Sequence, residues 1–217
     1  WRSRDQGRSW ESLGDLTSGR DRRTLRIMGE LPTPEILSLD DGIPYWPTLT
    51  AIAESPLERG VLYVGTDDGN VQVSRDGGAT WREVSDRLPG LPADSWINGI
   101  EASRLARGRV YVAANNYRND DFANYLFVSE DYGQSWRPIH GALPPARVVR
   151  TLREDPRNPE ALYLGTELGA FYSPDRGVSW VALELGLPTQ AVNDLVVHPR
   201  DNDLILATHG RGVWILD

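Results

Sequence analysis

The chain has 217 residues, 40% hydrophobic and 25% charged, with 21 glycines, 15 prolines, 8 tryptophans and no cysteine, a globular composition that excludes disulfide frameworks, cysteine zinc sites and thiol chemistry. All 23 basic residues are arginine, and 31 acidic residues leave a formal charge of −8, which argues against nucleic acid as the main partner because phosphate binding needs a basic stripe. No apolar run approaches the roughly 18 residues of a membrane helix, and no signal-peptide pattern is visible.

In chain order, the first element is the eight-residue segment Ser3-Arg-Asp5-Gln-Gly7-Arg-Ser9-Trp10, which recurs as Ser74-Arg-Asp76-Gly-Gly78-Ala-Thr80-Trp81, Ser129-Glu-Asp131-Tyr-Gly133-Gln-Ser135-Trp136 and Ser173-Pro-Asp175-Arg-Gly177-Val-Ser179-Trp180. Each copy reads as the tip of a β-hairpin. The Asp accepts bonds from amides ahead of it, the Gly takes the positive φ that closes the turn, and the Trp starts the returning strand with a large apolar body suited to packing between sheets. The hydroxyls at either end tie down the remaining polar groups.

Between the first and second copies lies a long crossover, residues 17–47, with Arg20, Arg22, Arg23 and Arg26 followed by Asp40, Asp41, Tyr45 and Trp46. An aromatic pair beside two carboxylates suits a sugar-stacking lid, and equally suits a crossover pinned between sheets. Further along, a turn and an apolar strand ending in Gly-Thr or a relative recur at residues 55–66, 102–114, 155–166 and 198–208. Each unit thus reads as four short strands with Gly/Pro turns, an all-β pattern. Motif spacings are 71, 55 and 44 residues, and Asp217 lies 42 past Asp175; the last two match a propeller blade of about 40–45 residues. The expected organisation is a partial blade at 1–16, blades at 48–88, 96–143 and 147–186, and a partial last blade at 190–217. Those seventeen strands do not close a ring, so the chain reads as the C-terminal part of a larger β-propeller, with further blades supplied upstream of Trp1 or by another chain.

The four Ser-x-Asp-x-Gly-x-Ser/Thr-Trp motifs resemble the Asp-box, or BNR, repeats of sialidases, sortilin-like receptors, bacterial xyloglucan-degrading propellers and photosystem II assembly factors. Residues 65–73, 118–122 and 208–217 look most like large bacterial BNR-repeat proteins of the glycosyl-hydrolase-like group. The resemblance implies that Asp5, Asp76, Asp131 and Asp175 lock hairpins on the face opposite the ligand mouth, and that the protein is secreted to the extracellular or periplasmic space.

Function is then expected on loops between second and third strands, which line that mouth. They supply Asp67 and Asp68; Asn116, Tyr117, Arg118, Asp120 and Asp121; Glu167; and His209 and Arg211. Paired carboxylates among these suit glycoside hydrolysis, whereas Asp before Gly or Asn equally suits tight turns. No cofactor is implied; calcium on the acidic loops is chemically open, although no EF-hand spacing is present. Sialidases use three arginines with a Tyr/Glu couple; Arg118, Arg147 and Arg211 with Tyr117 and Glu167 offer the residue types, but no local motif matches and the roles do not carry over. The favoured reading is a glycan- or protein-binding or scaffold module, for a glycan or extended peptide. The rival is part of a sialidase- or xyloglucanase-like glycoside hydrolase.

Overall fold

A computed structural model describes residues 1–24, 30–31, 33, 35, 47–184, 186 and 188–217. The chain is all-β. The first sheet contains β1 (Leu49–Glu54), β2 (Leu62–Thr66), β3 (Val71–Ser74) and β4 (Arg82–Glu83) in sequential antiparallel order. The second repeats this with β5 (Trp96–Ala102), β6 (Val110–Asn116), β7 (Asp121–Ser129) and β8 (Arg137–Pro138), and the third with β9 (Val149–Glu154), β10 (Leu162–Thr166), β11 (Gly169–Ser173) and β12 (Val181–Ala182). The fourth has β13 (Val192–Val197), β14 (Leu204–Thr208) and β15 (Val213–Leu216). The strand pair expected at residues 1–16 is reduced to a single bridge between Arg2 and Glu11, held by their ion pair; no other strand of the described residues pairs with it, so its ladder ends after one rung.

Strand alternation gives each sheet two apolar faces, and the sheets bury them against one another. Tyr63, Tyr111 and Tyr163 occupy one ladder position, opposite Val73, Val128 and Tyr172, and each turns toward the following sheet, where Tyr63, Tyr111 and Tyr163 join three successive core clusters. Val112, Leu164 and Leu206, one residue further along each second strand, face the preceding sheet in the same clusters. Burying each such side chain contributes about 1.5–3 kcal/mol. First strands β1, β5, β9 and β13 neighbour one another in turn, so the sheets fan around a shared line.

This fan has two open sides. In the fourth sheet the equivalent ladder row is Val196, Ile205 and Ile215; Val196 is 46% and Ile215 66% exposed. On the first sheet Ile52 is 73% exposed, while Leu16 covers the outer half of that face and its carbonyl accepts bonds from Asn70 and Gln72.

The motif turns are built alike in all four copies. Asp Oδ1 accepts the amide of the residue four ahead at 2.8–2.9 Å, and Oδ2 accepts its hydroxyl at 2.5–2.7 Å. The leading Ser hydroxyl accepts the Gly amide at 2.6–2.8 Å. Gly177 at φ +85° also lies so close to the second sheet that a Cβ there would meet the Ile139 carbonyl at 2.6 Å; glycine is needed for both reasons. Trp180 is buried and donates to that same carbonyl at 2.9 Å, whereas Trp10 is 60% exposed.

Candidate functional site

The loops between second and third strands share one end of the fan, tied to the segments that enter the first strands. Asp67, Glu167 and His209 donate backbone N–H bonds to Thr48, Val148 and Ala191 at 3.1, 2.9 and 2.9 Å. Just inside this rim every first strand carries a β-bulge, with Thr50, Asn98, Arg150 and Asn193 as the extra residue. Bulges re-aim side chains. Thr50 donates to the Ile97 carbonyl at 2.6 Å and Asn98 to the Val149 carbonyl at 2.9 Å, each stitching its sheet to the next.

Arg150 breaks that pattern. Its guanidinium turns back to Glu167 of its own sheet, donating from Nε and Nη2 to a single oxygen, Oε2, the first at 2.7 Å, and lies 5.6 Å from the Tyr117 ring centroid. Around this group is a cavity of about 310 Å³ between the second and third sheets, walled by Phe122, Ala146, Val148 and Leu168. Phe122 and Leu168 are exposed at its mouth. Beside it, Arg118 stacks on Trp96 at 4.0 Å.

The structure distributes the sequence-derived candidates unevenly. Tyr117 and Glu167 line the cavity. Asp67 and Asp68 do not; both are 4% exposed. Asp67 accepts the amide and hydroxyl of Thr48 at 2.8 and 3.1 Å, and burial raises its carboxyl above the ordinary range against those bonds, with Asp68 adding to the rise. Asp68 accepts from the Ser18 amide at 2.8 Å and from the hydroxyls of Ser18 and Thr66, so residues 15–20 form a cover, pinned by an Arg20–Asp94 ion pair. Asp121 accepts from Asn116 at 3.0 Å and from the Tyr125 hydroxyl at 2.5 Å; burial pushes its carboxyl up, but these bonds outweigh it and leave the group lowered. Asp120 is exposed and takes left-handed φ +58°, capping the 3-10 turn Tyr117–Asn119. His209 and Arg211 are exposed on the β14–β15 loop of the fourth sheet, away from the cavity-lining set. Tyr45 and Trp46 lie outside the described residues.

Sequence reasoning missed Arg150, Phe122 and Leu168. Aligning the first strands would have exposed Arg150, because Thr50, Asn98 and Asn193 are short and uncharged at the same bulge. Among the described residues no three His, Asp or Glu side chains converge as a metal ion requires, and no helix is long and apolar enough to cross a membrane.

No protein-family profile matches the chain. It is 27% identical over 148 residues to xyloglucanase Xgh74A of Acetivibrio thermocellus, an alignment covering 63% of this chain and 18% of that protein. Among solved structures, a GH74 enzyme of Niastella koreensis superposes with TM-score 0.54 at 16% identity, over 74% of this chain and 26% of that one. YCF48 bound to D1 peptide superposes with TM-score 0.55 at 18% identity, over 80% of this chain and 53% of that one. The chain is part of a β-propeller. Its sheets are blades, the first strands line the propeller axis, and the chain spans about a fifth of the length of the curated relatives it matches.

Proposed function

We propose that this propeller segment binds carbohydrate at the cavity between its second and third blades. The observation that carries the reading is the pairing of an aromatic and aliphatic wall, Tyr117, Phe122 and Leu168, with a single polar group, the Arg150–Glu167 pair. Sugar rings present C–H faces that pack on such walls and hydroxyls that need a few fixed polar partners. Among the described residues Glu167 is the one carboxylate on the cavity and is held by Arg150, whereas hydrolysis needs two carboxyl groups about 5–10 Å apart across the bond. Binding therefore fits better than turnover.

The motif turns are consistent with Asp boxes acting as hairpin locks, and the match to a xyloglucanase supports a polysaccharide-facing, extracellular protein. The open rows on the first and fourth blades fit a longer propeller whose remaining blades cover them. A second reading, part of a glycoside hydrolase, is favoured by the same relative's activity; its catalytic pair would then include acids outside this cavity. Calorimetric titration with neutral plant-wall oligosaccharides, alongside aryl-glycoside reporters, tests both. Micromolar-to-millimolar binding lost in Tyr117→Ala, without reporter release, supports the binding module; release of sugar by this chain overturns it.

A further inference from the structure

The Arg150–Glu167 pair leaves two of its polar atoms unused. Both donated bonds land on Glu167 Oε2, so among the described residues Oε1 of Glu167 and Nη1 of Arg150 have no hydrogen-bond partner. Glu167 is 44% and Arg150 29% exposed at the side chain, so both atoms are within a ligand's reach. The cavity thus offers one acceptor and one donor, joined through a common ion pair, inside a wall that is otherwise apolar but for the Tyr117 hydroxyl.

Arg150 is free for this because it gives up the stitch that Thr50 and Asn98 make in the first and second blades. We propose that this pair makes Glu167 a specificity-determining residue, selecting uncharged sugars whose neighbouring hydroxyls both donate and accept, and excluding acidic sugars. The inference rests on the carbohydrate reading above and goes further by naming the charge class. A hydroxyl can give its proton to Oε1 while an adjacent hydroxyl oxygen accepts from Nη1. A uronate or sialate carboxylate can only accept; it must compete with Glu167 for Arg150 and lie against a like charge.

The test compares a neutral xyloglucan oligosaccharide with tetragalacturonate by calorimetry on the wild-type chain, Glu167→Gln and Arg150→Gln. Glutamine keeps the volume of Glu167 and still accepts from Arg150, so the cavity walls are retained. The expected result is that wild type prefers the neutral ligand, Glu167→Gln raises the acidic-to-neutral affinity ratio by about tenfold or more, and Arg150→Gln lowers it. Equal or tighter wild-type binding of tetragalacturonate, or a ratio unmoved by Glu167→Gln while Tyr117→Ala still abolishes binding, overturns the charge selection and leaves the carbohydrate site standing. Binding of neither ligand removes the site itself and the selection with it.

Discussion

Arg109, at the entry to β6, and Glu154, at the end of β9, form an ion pair at 3.3 Å in which the Glu154 side chain is 1% exposed. Glu154 also accepts from the Ser103 hydroxyl at 2.6 and 2.9 Å, the Arg104 amide at 3.0 Å and the Tyr111 hydroxyl at 3.1 Å. One buried carboxylate therefore satisfies four groups of the second blade from its seat on the third.

Truncating it strands them. Glu154→Ala is expected to destabilise the fold by about 3–5 kcal/mol, as loss of one member of a buried charge pair does, seen as a lowered midpoint in urea unfolding. The double substitution Arg109→Met with Glu154→Leu should recover only the part of that loss due to the unpaired Arg109, because the Ser103 hydroxyl, the Arg104 amide and the Tyr111 hydroxyl stay without their acceptor. A loss below about 1 kcal/mol for Glu154→Ala would show that the network does not hold the blades together.

Acid should attack the motif turns. Asp5 and Asp76 are held at about 2, mainly by hydroxyl and amide bonds from Ser9 and Thr80 respectively, which favour the charged form. Their folded values lie below the ordinary 3.8, so the stability they contribute is present above about pH 4 and is lost as pH falls toward 2. Asp76→Asn is expected to lower the thermal midpoint at pH 6 and to flatten its fall between pH 4 and 2. Parallel curves for wild type and variant through that window would refute the linkage.

Glu101 on β5 works in the opposite direction. Burial pushes it up to about 7, against the pull of Arg153 at 3.8 Å and of Arg104. Between its ordinary 4.5 and about 7, the folded chain binds a proton that the unfolded chain has lost, so stability falls as pH rises through that interval. Glu101→Gln is expected to be near neutral at pH 4.5 and stabilising by ~2–3 kcal/mol at pH 8. The check is denaturant unfolding at both values; an equal effect at each would rule it out.

Gly165 of the third blade lies tight against the fourth: a Cβ there would meet the Val192 carbonyl at 2.6 Å and, within its own blade, Thr151 Cγ2 at 2.8 Å. Gly165→Ala should cost about 1–3 kcal/mol by overpacking, measured by thermal unfolding. The matching position in the second blade is already Ala113, buried in the core, so Ala113→Gly is expected to weaken the fold through backbone entropy, by about 0.5–1 kcal/mol, together with the loss of one buried methyl.

The fold was largely legible because its determinants are local. Ser129, Asp131, Gly133 and Ser135 close their own turn within seven residues, and alternation along 61–66 and 161–166 orients the strands. The Gly-Thr strand endings were legible as a pattern but not as a cause, since the clash that selects Gly165 comes from Val192, a blade away. The candidate site was legible only in part. Tyr117 and Glu167 sit on loops that the repeat alignment places at the mouth, while Arg150 sits inside a strand, where only comparison with the shorter, uncharged Thr50, Asn98 and Asn193 at the same bulge would have singled it out. Asp67 and Asp68 show the converse: as residue types they suit chemistry, yet a cover contributed by residues 15–20, fifty positions away, engages Asp68 and leaves neither open to a ligand.

The bulges separate two jobs that a regular strand would force on the same residue. Pleat and register fix every other inward position of β1, β5, β9 and β13, but the extra residue in each is exempt from that alternation. Each blade therefore carries one slot that can change its occupant without disturbing the frame, and at Arg150 this chain has turned the slot away from the neighbouring blade and toward the cavity. Variation among proteins built this way is expected to concentrate at these four places, so that new specificities arise by single replacements at the rim rather than by rebuilding a blade.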